Sequence, residues 1–269
     1  MITIVLAIAA ACGGFCGAYF GLGWGVGGSV FAAVAAFAVF QGVFGYLIQK
    51  RVKRDMEGVQ NILAAGQKRL QAKMQRWQLR PPGSIQSAQK EIFEDTKVFV
   101  KEALKEVDVL ARYRWWVPMI DRQMATAKLQ LNWMIKEFKI VDRLMPKALM
   151  IDPTMVSIKM ARMYMLGASS DEIEKVYAKG VRRTRYNGNV LPAATWSWIL
   201  VQRNEIDRAF GALTEALKKS DNEALKANHV NLMNNRVAHF SNSLIGDQWY
   251  SLFLEEPKVR MQRQHVAYR

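Results

Sequence analysis

Two cysteines and three histidines are all that the 269-residue chain offers of the side chains that most often bind metals or act as nucleophiles. Cys12 and Cys16 stand four apart in an uncharged stretch, and no further cysteine completes a disulfide framework or a four-ligand zinc site. They read as small apolar fillers. A cysteine-free remainder fits a reducing, cytoplasmic setting. His229, His239 and His265 make no HExxH pair and have no clustered acid beside them, so no metal or other cofactor is expected. The phosphate-cradling GxxxxGK[ST] loop, the GxSxG elbow and the kinase motifs are missing as well. Gly23, Gly25 and Gly28 do spell GxGxxG. No strand pattern precedes them and no acidic residue follows about 20 positions on, which rejects a dinucleotide site. A non-enzymatic protein is expected.

Charge is missing too, but only from one end. From Met1 to Ile48 there is no Asp, Glu, Lys, Arg or His, so the net charge of +15 rests entirely on the chain from Gln49 onward. That asymmetry excludes an ordinary one-piece soluble globule, and 51% apolar residues with eight Trp exclude a disordered chain. Residues 2–20 and 29–48 are uncharged runs, each just long enough as a helix to cross a hydrocarbon core of about 30 Å. The glycine-rich link 21–28 suits a tight turn between them. Lys50, Arg51, Lys53 and Arg54 follow at once, a stop-transfer pattern that marks the cytoplasmic side. The expectation is an integral membrane hairpin with both termini cytoplasmic, in a bacterial inner membrane by default. A cleaved signal or lipoprotein leader is the rival, and the absence of Lys or Arg before the apolar run argues against it. Gly13, Gly17, Gly21 and Gly25 fall four apart, a smooth helical stripe that suits close helix packing in lipid. The stripe can serve the hairpin's own packing or join it to a second copy, and the sequence leaves both open.

Residues 49–83 carry nine Lys or Arg against Asp55 and Glu57. Val52, Met56, Val59, Ile62, Leu63, Leu70, Met74 and Trp77 recur at helical spacing, which predicts a basic amphipathic stalk continuing the second span. Lys50, Arg51, Lys53 and Arg54 are candidates for anionic lipid headgroups, each worth about 1 kcal/mol beside a membrane. They can equally serve topology alone. Base-stacking aromatics are not interleaved with these charges, which argues against nucleic acid. Pro81-Pro82-Gly83 marks the stalk's end.

From Ser84, a plausible N-cap, apolar residues keep a helical period to Ala111. A second helix is expected from Pro118 to about Met145, closing a helical pair over 84–150. Nine of the 14 methionines fall between Met119 and Met165, most simply as filling for an irregular helical core. No sustained period-2 run occurs, so the body is expected to be all-α. Glu172-Ile-Glu-Lys-Val-Tyr177 recurs further on as Glu205-Ile-Asp-Arg-Ala-Phe210. Each copy follows an apolar helical segment and a short polar turn. The interval between them is close to the period of ~34 positions that marks stacked helical pairs.

The second copy resembles a tetratricopeptide repeat. Trp196, Ser197 and Leu200 match the large, small, large set of that family's first helix. Asn204-Glu205 takes the place of its inter-helix turn, and Ala209, Leu213 and Ala216 the small, large, small set of its second. Departures are Val176 where alanine is expected, Asp221 in place of proline, and a third copy whose Gly246-Asp247 turn comes later after Asn204 than that period places it. The resemblance covers roughly residues 152–255 and implies a helical-hairpin domain over 151–269 that binds a protein. It also implies peptide-gripping amides at Asn228, Asn231 and Asn235, with Lys226 and Arg236 beside them. Arg182, Arg183, Arg185 and Tyr186 form a compact basic turn, and Glu255-Glu256 sit in what reads as an exposed tail. Together these features imply a membrane-anchored scaffold with an unidentified protein partner, within a multi-protein membrane assembly. The alternative is a hairpin-driven homo-oligomer that shapes or permeabilises the membrane.

Overall fold

The structure is a computed structural model and describes residues 2–79, 83–182 and 187–257. Arg183, Arg185, Tyr186, His265, Pro81 and Pro82 lie outside the described residues. Among the described residues every regular element is helical, and the chain forms two compact units, 1–148 and 149–269.

The first unit opens with α1 (Ile2–Cys16), which ends in a π-helical turn at Gly17–Gly21. After a short turn in which Gly23 takes a positive φ of 67°, α2 runs unbroken from Val26 to Leu79. At 1.5 Å per residue those 54 residues extend about 81 Å. Both α1, with its π turn, and the start of α2 are long and apolar enough to span a membrane, each with a mean hydropathy of 2.0. Little of the first apolar stretch and none of the second is buried against protein, unlike the core helix of a soluble fold. The two helices pack on each other, and Thr3, Ala7 and Ala18 are buried. A methyl group placed on Gly14 would come within 3.0 Å of the Ala36 Cβ and 3.2 Å of the Ala32 carbonyl oxygen, so the backbones meet there.

The basic half of α2 does not stand alone. Its apolar stripe packs on α3 (Ile85–Val109), with Val59, Phe99, Val100, Ala103 and Val107 at the centre of one core. The 49–83 stalk and the 84–150 pair therefore share that core within one unit. Ser84 caps α3 as expected, its hydroxyl accepting from the Ser87 amide at 3.1 Å. Lys73 bridges to Glu91 and Asp95 across the same helix pair. α3 ends in a 3-10 turn (Leu110–Tyr113), and the following helix is broken where one was expected to run to about Met145. α4 (Ile120–Met134) stops at Lys136, which adopts φ 59°, and α5 (Phe138–Leu144) starts afresh. The Glu137 amide donates back to the Asn132 carbonyl at 2.9 Å, the bond that closes a left-handed helix cap. Helical periodicity cannot reveal such a stop, because the apolar spacing continues through it.

In the second unit, α6 (Pro153–Met165) is capped by the Asp152 carboxylate and begins with proline. α7 (Ser170–Val181) starts with a capping box in which Ser169 and Glu172 satisfy each other's amides. α8 (Val190–Gln202) is buried on nearly every side, and α9 (Ile206–Leu217) buries Ala209, Leu213 and Ala216. α6 and α7 form one hairpin, α8 and α9 a second, and α8 packs on both helices of the first. α10 (Glu223–Met233) packs on α9 and, more lightly, on α8. α6, α8 and α10 share one cap. Gly167, Asn204 and Asn235 each take a positive φ, and the next amide donates to a carbonyl five residues back. Beyond α10 there is no full second helix among the described residues. Two 3-10 turns (Val237–His239 and Ser243–Ile245) and one helical turn, α11 (Asp247–Tyr250), take its place.

Candidate functional site

Two places gather the polar side chains singled out from the sequence, one in each unit. In the second unit, the asparagine row on α10 does not form an open amide face. Asn228 is 1% exposed. Its side-chain amide donates to the Asn242 side-chain Oδ1 at 2.8 Å, and its own Oδ1 accepts from the Ser241 backbone amide at 2.9 Å. Asn231 donates to the His239 carbonyl at 3.1 Å. Asn235 lies past the helix end as the left-handed cap residue. Asn228 and Asn231 do hold backbone groups, but these are the Ser241 amide and the His239 carbonyl of the chain's own segment 239–242. Lys226 pairs with Asp221 and more distantly with Glu223. These neighbours hold the Lys226 ammonium above its ordinary pKa. Arg236 is exposed beside them.

The same segment continues across α8. The Asn242 amide donates to the Ala194 carbonyl at 3.0 Å, and the Trp249 indole packs edge-on against Trp198 at 5.8 Å. Glu255 is not part of an exposed tail. The Trp198 and Trp249 indole N–H groups donate to its two oxygens at 2.6 and 2.7 Å, and the carboxylate is half-buried between them. The eight tryptophans were visible in the sequence, but the return of the chain that unites two of them with Glu255 was not. His229 is part of the packing, stacked on Phe210 at 4.5 Å and within 3.0 Å of the Thr214 hydroxyl.

In the first unit, a cleft of about 610 Å³ opens between α2 and the 3-10 turn that follows α3. Phe44, Leu47 and Ile48 supply its apolar lining, and Arg51, Arg54 and Arg112 bring three guanidinium groups to it. Tyr113 and Trp116 complete it. Asp55 organises one side. It accepts hydrogen bonds from Arg112 and, at 2.9 Å, from the Tyr113 hydroxyl. Burial pushes the Asp55 carboxyl up, but those two hydrogen bonds and the charges of Arg112 and Arg54 outweigh it, so the carboxyl stays below its ordinary range. The loop after the turn is pinned to the start of α1, where the Ile2 amide donates to the Trp115 carbonyl at 2.9 Å and the Thr3 hydroxyl to that of Trp116. Trp115 itself is 65% exposed. Of the four headgroup candidates, Arg51 and Arg54 line this cleft. Lys50 and Lys53 do not; with Glu57 they border an adjoining groove along α2, which shares Leu47, Arg51 and Arg54 with the cleft. Sequence reasoning did not join Arg112, Tyr113 and Trp116 to them. The only signal was the helix-breaking run Tyr113-Arg114-Trp115-Trp116.

The glycine row lies away from the hairpin seam. A methyl group on Gly13, Gly17, Gly21 or Gly25 would meet nothing within 4 Å, whereas Gly14, one position over, is where α1 touches α2. Packing of the hairpin on itself through that row is thereby corrected: the close approach of α1 to α2 is at Gly14 instead. Cys12 and Cys16 are exposed on α1. Among the described residues no three His, Cys, Asp or Glu side chains gather as a metal site would need. No protein-family model, no curated protein and no solved structure matches this chain.

Proposed function

We propose that the protein is a membrane-anchored, non-enzymatic scaffold, held by its N-terminal hairpin with both termini in the cytoplasm, a bacterial inner membrane being the default setting. Its stacked helical hairpins, similar in pattern to tetratricopeptide repeats, bind a protein partner within a multi-protein membrane assembly. The observation that carries the reading is the sharp division of the chain. An apolar hairpin leaves its outer surface uncovered, and polar helical units with four cations at the junction follow directly. Tethering then raises the partner's effective concentration at the membrane. Because Asn228 and Asn231 are committed internally and Lys226 is paired with Asp221, the exposed Asn235 and Arg236 remain for a partner, with the half-exposed Lys226 beside them. Crosslinking of the full-length protein in its native membrane, followed by mass spectrometry, tests this. Recurrent links from residues 222–249 to one other protein are the expected result. Links confined to the hairpins of like chains, Met1 to Ile48, overturn it.

One observation favours a second reading, the homo-oligomer. Gly13, Gly17 and Gly21 face away from α2 with open space before them, as a surface awaiting another helix would. Changing all three to leucine should then abolish oligomers in the membrane, while the scaffold reading predicts no effect on partner binding by the body.

A further inference from the structure

We propose that the cleft between α2 and the turn after α3 binds the phosphate of an anionic glycerophospholipid, through Arg51, Arg54 and Arg112. The proposal rests on the membrane-anchoring reading and adds a defined lipid site to it. Three features of the cleft carry it.

The first is charge. Arg51 and Arg54 have no ion-pair partner among the described residues, so both guanidinium groups remain available. Arg112 commits one nitrogen to Asp55 and lies over the Tyr113 ring at 4.9 Å, which fixes its position while leaving other N–H groups to donate. Three cations against one carboxylate leave the cleft two charges positive. All three cations are arginine, whose planar fork matches phosphate oxygens.

The second is amphipathy. The lining changes from Phe44, Leu47 and Ile48 to Arg51 and Arg54 within three turns of one helix. A soluble phosphate ester needs only the basic part, whereas a phospholipid needs both, with its acyl chains along the apolar part. The third is level. The α1 amide of Ile2 is bonded to the Trp115 carbonyl, so the 113–116 turn stands at the end of the first span. With the spans in a bilayer, the exposed Trp115 and the cleft's Trp116 lie in the interfacial layer, where Trp and Tyr concentrate. Arg51, three residues past Ile48, is about 4.5 Å further along the axis, within reach of the headgroups.

Specific binding and diffuse attraction make different predictions. Diffuse attraction counts charges, so Lys50 and Lys53 should matter as much as Arg51 and Arg54. The cleft uses only the arginines. The test is native mass spectrometry of the full-length protein released from nanodiscs of mixed phosphatidylcholine and phosphatidylglycerol, with flotation on pure phosphatidylcholine vesicles as the check on anchoring. Wild type should float and should retain phosphatidylglycerol in preference to phosphatidylcholine. The Arg51→Gln/Arg54→Gln variant should float equally well and lose that preference by about thirtyfold. The Lys50→Gln/Lys53→Gln variant, with the same net charge, should keep it within about threefold. Equal loss in both variants, or no preference in wild type, overturns the site while leaving the anchor intact. Displacement of the retained lipid by millimolar inorganic phosphate assigns the arginines to a soluble ligand and overturns the lipid. Failure of wild type to float overturns the anchoring reading itself.

Discussion

Replacing Gly66 with alanine opposes two effects whose balance the structure decides. Gly66 lies within α2, where alanine is favoured over glycine by about 1 kcal/mol. A methyl group there would sit 2.4, 2.6 and 2.8 Å from three ring atoms of Phe99. Ordinary carbon contacts are about 3.5–4.0 Å, so the ring must move by about 1 Å. Phe99 is 7% exposed and held by Val59, Val100 and Ala103, so it has little room to retreat. Overpacking of this kind costs about 1–3 kcal/mol, and overlap at three atoms puts it at the upper end. The net expectation is a loss of about 2 kcal/mol. Hydrogen exchange of the full-length protein in detergent would read it as about thirtyfold faster opening of amides around Phe99 in α3. Gly58→Ala is the matched control, because its methyl group would meet only the end of the Glu106 side chain, at 3.3 Å. That side chain can swing aside, leaving the helix gain, so exchange should be unchanged or slower. Adding Phe99→Leu to Gly66→Ala should recover part of the lost protection. Gly66→Ala amides as well protected as wild type would refute the claim that this glycine exists to admit the ring. Faster exchange that Phe99→Leu does not relieve would refute the overlap as its cause.

Asp55→Asn should cost about 1.5–3 kcal/mol of first-unit stability, read by the same exchange, since it weakens bonds to Arg112 and Tyr113. Because the folded-state pKa of Asp55 is below its ordinary 3.8, its contribution is present at neutral pH and is lost as acid takes the pH below that value; the variant should lack this acid limb. Tyr177 behaves in the opposite sense. Burial, with the charge of Glu215, pushes its phenol up to about 12 from 10.0, so second-unit stability should fall between those pH values. Tyr177→Phe should flatten that fall, and phenolate absorbance against pH should show one group titrating late in wild type only. Glu255→Ala leaves the indoles of Trp198 and Trp249 without their acceptor and should weaken the returning segment by about 2–4 kcal/mol. Exchange should then rise in residues 242–252 but not in α6 or α7, and unchanged protection there would count against the carboxylate as the clasp.

Local pattern made much of the architecture legible. The uncharged runs, the abrupt cations and the helical spacing of Val52 to Trp77 describe a long helix that leaves an apolar environment, and α2 is that helix. Ser84 could be read as a cap because its hydroxyl serves an amide three residues away. The break at Lys136 was not legible, since a left-handed residue other than glycine carries no strong signature. The glycine row misled for a different reason. Spacing shows which residues share a helix face, but not which face its partner takes, and the partner took Gly14.

Burial of the asparagines shows the same limit at a longer range. The sequence alone determined that Asn228 and Asn231 share a face of α10 and that amides can hold an extended backbone, because both follow from helix geometry and side-chain chemistry. Only the tertiary structure decided that the backbone they hold is their own chain's, and that Glu255 returns to the indoles of Trp198 and Trp249. It likewise decided that Arg112, on a different element from Arg54 and far beyond it in the chain, shares a cleft with it. The apolar runs, helix spacing and caps act within one or two turns and are written residue by residue. Which distant segments meet depends on how the whole chain folds back to bury its apolar faces, and no local spacing records that.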